Sequence, residues 1–350
     1  MLLYRRLLVL SILTLWISPC FGAIPTTTVR DEMVRYTLIR DRTILERPHN
    51  LSILSIKAHI SSGTKSLISE MREASKNPDP IQKNLNVLAL LNRYINTERY
   101  LDADLETNVP LPYLSIKNYQ FLPYAFYSFN LSGELSISNF GDVTNPRAQT
   151  YLKKESALGL ASAVRHEKYQ GNFRLYQLKR SDAKALLTYS DIANDNKSLV
   201  QLDSLNVESK AYALDLSNTW TIKNTQLTAE VRELALKKDK IQTNYGYRPL
   251  LHAFFVTDHG FWHYGGGMHY RRFYTLDDGM YVEAGITRAG PPKLDLSTRV
   301  TNESINIIPE LTWGFFHFRY GMRLQYSNPV DEMWVPATHF VILEFQYPDF

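Results

Sequence analysis

The sequence predicts an all-β fold: a closed antiparallel transmembrane β-barrel of about 14 strands, with about 12 as the alternative count. Three observations support it. Long segments alternate apolar and polar residues with a period of two, aromatic residues make up 12% of the chain, and short turns alternate with longer polar loops. In such a wall apolar residues face lipid and polar residues face the lumen, so the mean hydropathy stays slightly negative, at -0.26.

The first 23 residues are typical of a signal peptide. Tyr4-Arg5-Arg6 gives a basic start, Leu7 to Ile17 is apolar but too short to span a bilayer, and the small pair Gly22-Ala23 suits signal peptidase. An uncleaved anchor and a lipidated Cys20 are the alternatives. Residues 24–50 then form an N-terminal segment and candidate hatch, and residues 51–350 the barrel.

Composition excludes two classes of function. Cys20 is the only cysteine, so cleavage leaves no thiol, disulfide or cysteine metal site in the mature chain. The net charge of +4 is small and dispersed, and no basic stripe indicates nucleic acid as a partner.

A helical insertion is predicted over residues 62–97, after the first strand. Leu67, Ile68 and Met71 form one apolar stripe, and a second follows Pro78-Asp79-Pro80, made of Ile81, Leu85, Leu88 and Ile95. We expect a helical hairpin that covers or plugs one mouth of the barrel through its apolar face. A partner-binding helix is the alternative.

The clearest strands lie at the C-terminal end. One face of the first carries Phe316, Phe318, Tyr320, Met322, Leu324 and Tyr326, and the other carries His317, Arg319, Gly321, Arg323 and Gln325. In the last strand Val341, Leu343, Phe345 and Tyr347 alternate with Ile342, Glu344 and Gln346, and the chain stops at Phe350. An aromatic C-terminus on such a strand is what the barrel assembly machinery generally recognises.

The remaining strands alternate with less contrast. We place the full set near 52–60, 100–117, 120–139, 151–167, 172–190, 208–222, 226–236, 248–257, 261–273, 280–289, 293–300, 305–314, 316–327 and 337–348. A soluble β-sandwich also alternates, but Tyr119 to Asn139 and Gly171 to Asp191 are longer than soluble strands usually are. The strands near 293–314 are the least secure, because Pro309 has no ladder donor.

The predicted connections divide between two ends. Short joins fall at Lys117-Asn118, around Gln170-Gly171, at Lys223-Asn224, at Asp258-His259-Gly260, at Gly290-Pro291-Pro292 and near Gly314. Polar loops near 140–150, 191–207, 237–247 and 328–336 fall at the opposite end. An even number of strands returns the C-terminus to the periplasm.

The order of signal peptide, short strand, helical insertion and long run of strands resembles a known family. The stretches that carry the resemblance are Ser156 to His166, Ser209 to Leu234, Gly265 to Tyr274, Asp278 to Thr287 and Phe316 to Tyr347. They are similar to the outer-membrane family of long-chain fatty-acid transport porins and its TraF-like conjugal-transfer relatives. The resemblance implies the barrel fold, the outer membrane and transport of hydrophobic small molecules. It carries no binding residue over, because Arg47-Pro48-His49-Asn50 stands where those porins usually have an Asn-Pro-Ala hatch motif.

The candidate functional residues lie in the predicted lumen. Arg319 and Arg323 share an inward face with His317 and are expected opposite Glu344 on the next strand, either as structural pairs in a closed barrel or as a selectivity patch.

No metal site or cofactor is predicted. His259 and His263, with Asp258 and His269 nearby, lie about 13 Å apart along a strand, too far for joint ligation. Gly265-Gly266-Gly267 indicates close backbone packing or a kink in the wall, because no helix or lysine follows it as in a phosphate loop.

The sequence therefore predicts an outer-membrane protein of a Gram-negative bacterium, a channel or transporter for small solutes, with a small hydrophobic ligand as one candidate. The alternative is a structural or docking component of a secretion or conjugation apparatus. Its expected partners are outer-membrane lipid and, through the C-terminal strand, the barrel assembly machinery. No enzyme is expected, since no triad, dyad or metal spacing is visible.

Overall fold

The computed structural model describes residues 51–138, 146–194, 205, 208–239, 249–271, 276–327 and 333–347. The signal peptide predicted over 1–23, the candidate hatch over 24–50 and the terminal Phe350 lie outside the described residues. So do most of the predicted polar loops.

The described chain is built from β-strands, in agreement with the predicted all-β class. The strands are β1 Ser52–Ser61, β2 Thr97–Pro110, β3 Leu114–Ile116, β4 Tyr119–Ser138, β5 Arg147–His166, β6 Tyr169–Thr188, β7 Ser209–Ile222, β8 Thr225–Lys238, β9 Leu250–His259, β10 Trp262–Tyr270, β11 Met280–Arg288, β12 Lys293–Thr301, β13 Ser304–Trp313, β14 Phe316–Gln325 and β15 Thr338–Gln346.

These strands close into an antiparallel barrel. Each strand from β4 to β15 pairs with the next along the chain, β15 pairs with β1, and β1 pairs with β2. The ring closes because β2 also pairs with β4, where Thr97 lies opposite Ile137 and Pro110 opposite Tyr124. The short strand β3 pairs only with the start of β4 and stands outside the ring. The predicted fourteen-stranded closed barrel is confirmed.

The two ends of the barrel differ in their connections. At one end, which we call the short-turn end, β1 begins, β15 ends, and tight turns join the strands. The predicted short joins are found there, with two displaced. The turn predicted around Gln170-Gly171 lies at Glu167-Lys168, because β6 already begins at Tyr169. The turn predicted at Asp258-His259-Gly260 lies at Gly260-Phe261, because β9 continues to His259. The helical insertion follows the far end of β1, at what we call the loop end.

The region around Pro309 forms a strand despite the missing N–H donor. Pro309 lies opposite Leu296 of β12, whereas the ladder between β13 and β14 runs to Ile307–Met322 and resumes only at Glu310–Arg319. The interruption is the effect expected of proline in a sheet. The following turn is made by Gly314, whose φ of 58° suits glycine.

The predicted helical hairpin is confirmed as α1 Thr64–Ala74 and α2 Pro80–Arg93. Asp79 caps α2, since its side chain accepts a hydrogen bond of 2.9 Å from the backbone N–H of Ile81. Two short helices, α3 Tyr189–Ala193 and α4 Leu276–Gly279, follow β6 and precede β11. None of the helices in the described ranges is long and apolar enough to cross a membrane.

The hairpin packs beside the rim on the outward face of the wall, so its predicted position over a mouth of the barrel is wrong. Leu67, Met71, Val87, Leu90 and Leu91 form one buried cluster with Ile137, Ala148, Leu187, Ile192 and Ala193. The cluster includes one residue each of β4, β5 and β6, and these lie opposite one another in the register. They point outward, because the polar lumen residues of the same strands occupy the alternate positions.

The wall is not of uniform height. Strands β4, β5 and β6 have 20 residues each, whereas β9 to β15 have 9 or 10. A tilted strand of about 9–11 residues is enough to cross a bilayer. At the loop end β6 continues past β7, because Arg180 already lies opposite Ser209, the first residue of β7. The tall wall of β4–β6, with the start of β2 beside β4, therefore projects beyond β7 at the loop end.

Candidate functional site in the barrel lumen

The two faces of the barrel wall have opposite chemistry. On β14, Arg323 points inward and is 1% exposed, whereas its neighbour Leu324 points outward and is 40% exposed. The same alternation holds on β11, where Glu283 is buried and Val282 exposed. Along these strands, polar residues inside and apolar residues outside are the reverse of a soluble protein and the pattern of a wall surrounded by lipid.

All four lumen residues singled out by the sequence point inward. His317 lies directly opposite Glu344, and its Nδ1 is 3.0 Å from a carboxylate oxygen of that residue. Arg319 instead pairs with Glu310, at 2.8 Å from Nε to Oε1. Glu310 also lies 3.4 Å from His317 Nε2, so one carboxylate joins the histidine and the arginine.

Arg323 lies apart from this group. Its Nη2 donates to Glu303 Oε2 at 3.2 Å, and Glu303 lies in the turn between β12 and β13. The sequence-based prediction did not identify Glu303 and Glu310 as partners. Glu310 lies within the predicted strand 305–314, and Glu303 lies just before it. Their role depends on the register between strands, which the pattern of one strand does not contain.

A larger ion-pair network lies in the lumen toward the loop end, and we call it the Arg180 network. The guanidinium of Arg180, from β6, contacts Glu155 on β5 and Glu233 on β8. Glu155 also accepts from Lys153 Nζ at 2.7 Å, and Glu233 from Arg271 Nη1 at 3.3 Å. The side chain of Arg180 is 0% exposed. The network therefore ties strands from β5 to the end of β10 across the interior.

A β-bulge brings Glu233 into this network. The register between β7 and β8 shifts between Leu214 and Leu216, and Glu233 has a φ of 56°. The backbone N–H of Glu233 donates to Asp215 Oδ1 at 2.8 Å. Because the bulge adds a residue to β8, the side chains of both Arg232 and Glu233 face the lumen side of the wall.

The described lumen also brings a serine, a histidine and an aspartate together. Ser297 Oγ lies 3.4 Å from His263 Nε2, and Asp295 Oδ2 lies 3.6 Å from His263 Nδ1. However, Ser297 Oγ donates to Asp295 Oδ1 at 2.7 Å, and Ser297 is 1% exposed. The hydroxyl is thus held by the carboxylate and sealed from solvent, so the three groups form a structural cluster.

One cavity in the described lumen opens at the short-turn end. Its volume is about 280 Å³, and we call it the short-turn pocket. The polar and charged residues that line it are Ser52, Ser55, Lys57, Glu106, Asn108, Arg165, Gln170, Asn172, Arg174, Asp215, Ser217, Thr219, Glu230, Arg232 and Glu344. Glu344 thus belongs to this pocket as well as to the contact with His317.

Arg174 is the anchored cation of the short-turn pocket. Its two Nη atoms both contact the carboxylate of Glu106 across the lumen, one of them at 3.2 Å. Its guanidinium carbon also lies 4.3 Å from the ring centre of Phe126. A bidentate pair stacked on an aromatic ring has a fixed orientation, so Arg174 presents one edge of a rigid group to the pocket.

The pocket carries both signs of charge. Arg232 donates to Glu230 Oε2 at 2.9 Å, and the Arg232 side chain is 39% exposed. Asp215 accepts from Tyr176 Oη at 2.8 Å. Because anchored cations and carboxylates stand side by side, the lining can hold a polar solute that carries opposite charges at two ends.

The histidines and glycines weighed in the sequence analysis as metal or phosphate motifs lie on β9 and β10. Among the described residues, no group of three or more His, Cys, Asp or Glu side chains could hold a metal ion. His263 and His269 point into the lumen, whereas His259 is exposed at the end of β9. The three glycines lie in β10. A Cβ on Gly267 would fall 2.6 Å from Phe254 Cβ, which agrees with the predicted close packing.

No protein-family model matches the chain, and no curated protein matches it in sequence. Three solved structures that are similar to it are a TodX monoaromatic hydrocarbon channel mutant, CdiB from Escherichia coli and outer membrane phospholipase A from Escherichia coli. The TodX match has a TM-score of 0.44 at 8% identity and covers 88% of this chain and 92% of that one. The CdiB match has a TM-score of 0.37 at 10% identity and covers 85% of this chain, but this chain spans only 63% of CdiB. The phospholipase match has a TM-score of 0.32 at 11% identity and covers 87% and 96%. The resemblance to fatty-acid porins and TraF-like proteins stays a prediction.

Proposed function

We propose that this protein is an outer-membrane β-barrel of a Gram-negative bacterium that takes up small polar solutes through the short-turn pocket. The observation that carries the proposal is the pocket itself, which is open at one end of the barrel and lined by cations and carboxylates. With both chain ends of the barrel at the short-turn end, that end faces the periplasm and the loop end faces the exterior.

The size and lining of the pocket favour one class of solute. At about 280 Å³ it lies at the lower bound of ligand pockets, which are mostly larger and apolar. A hydrophobic ligand, which the family resemblance implies, would displace water from charged side chains of the lining, such as Arg232, whose side chain is 39% exposed. That displacement costs free energy. A solute with both an ammonium and a carboxylate group suits these side chains better.

The Arg180 network supports a second candidate function. It lies deeper in the lumen, and its side chains contact one another across the interior. A barrel closed in this way acts as a scaffold or docking component of a secretion or conjugation apparatus. The two candidates differ in one property, since the first requires a water-filled path past the network and the second does not.

Planar-bilayer recording of the refolded full chain in potassium chloride separates the two candidates. We expect discrete currents from the wild type, and a larger conductance with greater cation preference from Arg174→Ala, because this change widens the pocket and removes a positive charge beside Glu106. Silence of both proteins at high protein load would overturn the transport proposal and support the scaffold.

Arg288→Ala is the matched control. Arg288 lies at the same end of the barrel but is exposed on the outward face of β11, so its removal should leave conductance and selectivity unchanged. An equal change in both variants would mean that the overall charge of the barrel end, not the pocket, sets the current.

A further inference from the structure

A row of lysines lies on the outward face of the tall wall, away from the lumen. Lys179 of β6 and Lys210 of β7 are directly opposite each other in the register. Lys154 of β5 is a diagonal neighbour of Lys179, since Ser156 lies opposite Lys179. All three point outward, because their chain neighbours Lys153, Arg180 and Ser209 are buried on the lumen side.

The arrangement is unfavourable for the protein alone. Like charges directly opposite on neighbouring strands destabilise a sheet. Within the described part of the chain, Glu208 forms a long ion pair with Lys154, with 3.9 Å between its Oε1 and the Nζ, which is too far for a hydrogen bond. A bound anion would remove the repulsion between Lys179 and Lys210.

The surroundings of the row place it at the level of lipid head groups. Toward the short-turn end the same outward face carries exposed apolar side chains, namely Leu158, Leu160, Phe173, Leu175 and Tyr212. Toward the loop end it carries Ala148 and Leu187, which the helical hairpin covers. The lysines therefore lie in the narrow band between a lipid-facing belt and a protein-covered rim, where basic and aromatic side chains meet the membrane interface.

We propose that Lys154, Lys179 and Lys210 bind the phosphate of an anionic lipid in the outer leaflet, below the helical hairpin. The proposal rests on the membrane location put forward above and is independent of what the short-turn pocket takes. The lipid keeps its acyl chains against Leu158 and Leu175, while its phosphate lies among the ammonium groups. A lipid makes apolar and ionic contacts at this site at the same time, whereas free phosphate makes only the ionic ones.

The test uses the full chain refolded in a zwitterionic detergent and titrated with a short-chain phosphatidylglycerol. We expect saturable binding that is weakened about 30-fold in the double variant Lys179→Gln, Lys210→Gln, because each basic residue near an anionic surface contributes about a factor of five. The double variant Lys168→Gln, Lys293→Gln removes the same charge at the short-turn end and should bind like the wild type.

Three other results of the titration would overturn the proposed lipid site. Equal loss in both double variants would overturn the proposal, since net charge alone would then explain binding. Binding of short-chain phosphatidylcholine or of inorganic phosphate with the same affinity would also overturn it, in favour of an apolar or a free-anion site. Absence of binding to the wild type, with its conductance intact, would overturn this site and leave the proposed function standing.

Unfolding supplies a second measurement that does not depend on the titration. Without anionic lipid, Lys179→Gln, Lys210→Gln should be at least as stable as the wild type, because the like-charge contact is gone. In phosphatidylglycerol vesicles the wild type should be the more stable of the two proteins. The same order of stability with and without the anionic lipid would contradict the proposed lipid site.

Discussion

Loss of the Arg180 side chain should destabilise the barrel, because it leaves buried carboxylates without a cation that they share, and Arg180→Met tests this. The substitution keeps the length of the side chain but leaves Glu155 and Glu233 without their shared cation in a region where the Arg180 side chain is 0% exposed. Removal of one partner of a buried ion pair costs about 3–5 kcal/mol. Lys153 and Arg271 still contact the two carboxylates, so we expect the lower bound, about 3 kcal/mol.

The assay is urea unfolding in detergent micelles, followed by tryptophan fluorescence. Arg93→Met is the control, because Arg93 forms an ion pair of 3.0 Å with Glu70 on the hairpin but is 70% exposed. An exposed pair contributes about 0–1 kcal/mol. Adding Glu155→Gln to Arg180→Met should recover part of the loss, since it removes one of the stranded charges. Equal free energies of unfolding for Arg180→Met and Arg93→Met would refute the reasoning.

Three further substitutions test other parts of the structure. Gly321→Val should lower the free energy of unfolding by about 1–3 kcal/mol, because a Cβ at this position would overlap the ring of Phe340; an unchanged urea midpoint would contradict this contact. Leu91→Ala, at a fully buried position of the hairpin cluster, should make the hairpin sensitive to protease while the barrel stays heat-resistant on a gel; simultaneous loss of both would mean that the barrel depends on the hairpin. Asp79→Ala should destabilise α2 by about 1 kcal/mol, measured as faster amide exchange in its first turn, and exchange equal to that of the wild type would rule out the cap.

Periodicity predicts the strands of this protein because each side chain's direction depends only on its neighbours in the chain. Phe316 to Gln325 is the clearest case, since lipid and lumen impose opposite preferences on alternate residues. The even strand count and the turn-rich end follow from the same local signals. Pro309 is a doubtful residue for a strand, and the structure accommodates it by leaving a gap in one ladder.

The candidate site depends on contacts between distant segments, and its details could not be predicted in the same way. Glu233 enters the lumen only because of a bulge, and no turn-forming residue marks that position in the sequence. Arg174 meets Glu106, which lies 68 positions away in the chain. The hairpin shows an apolar stripe in the sequence, but a stripe does not reveal whether it packs over a mouth or on the outer wall.

The central claim is that one face of the wall meets lipid and the other a polar interior. Spin labels placed one at a time along β11, from Met280 to Arg288, test it in lipid vesicles by accessibility to oxygen and to a water-soluble nickel complex. We predict high oxygen accessibility at the even-numbered positions and low accessibility at the odd-numbered ones, because these alternate between exposed and buried. Equal access of the nickel complex to both sets, or no two-residue period, would contradict a lipid-facing barrel wall.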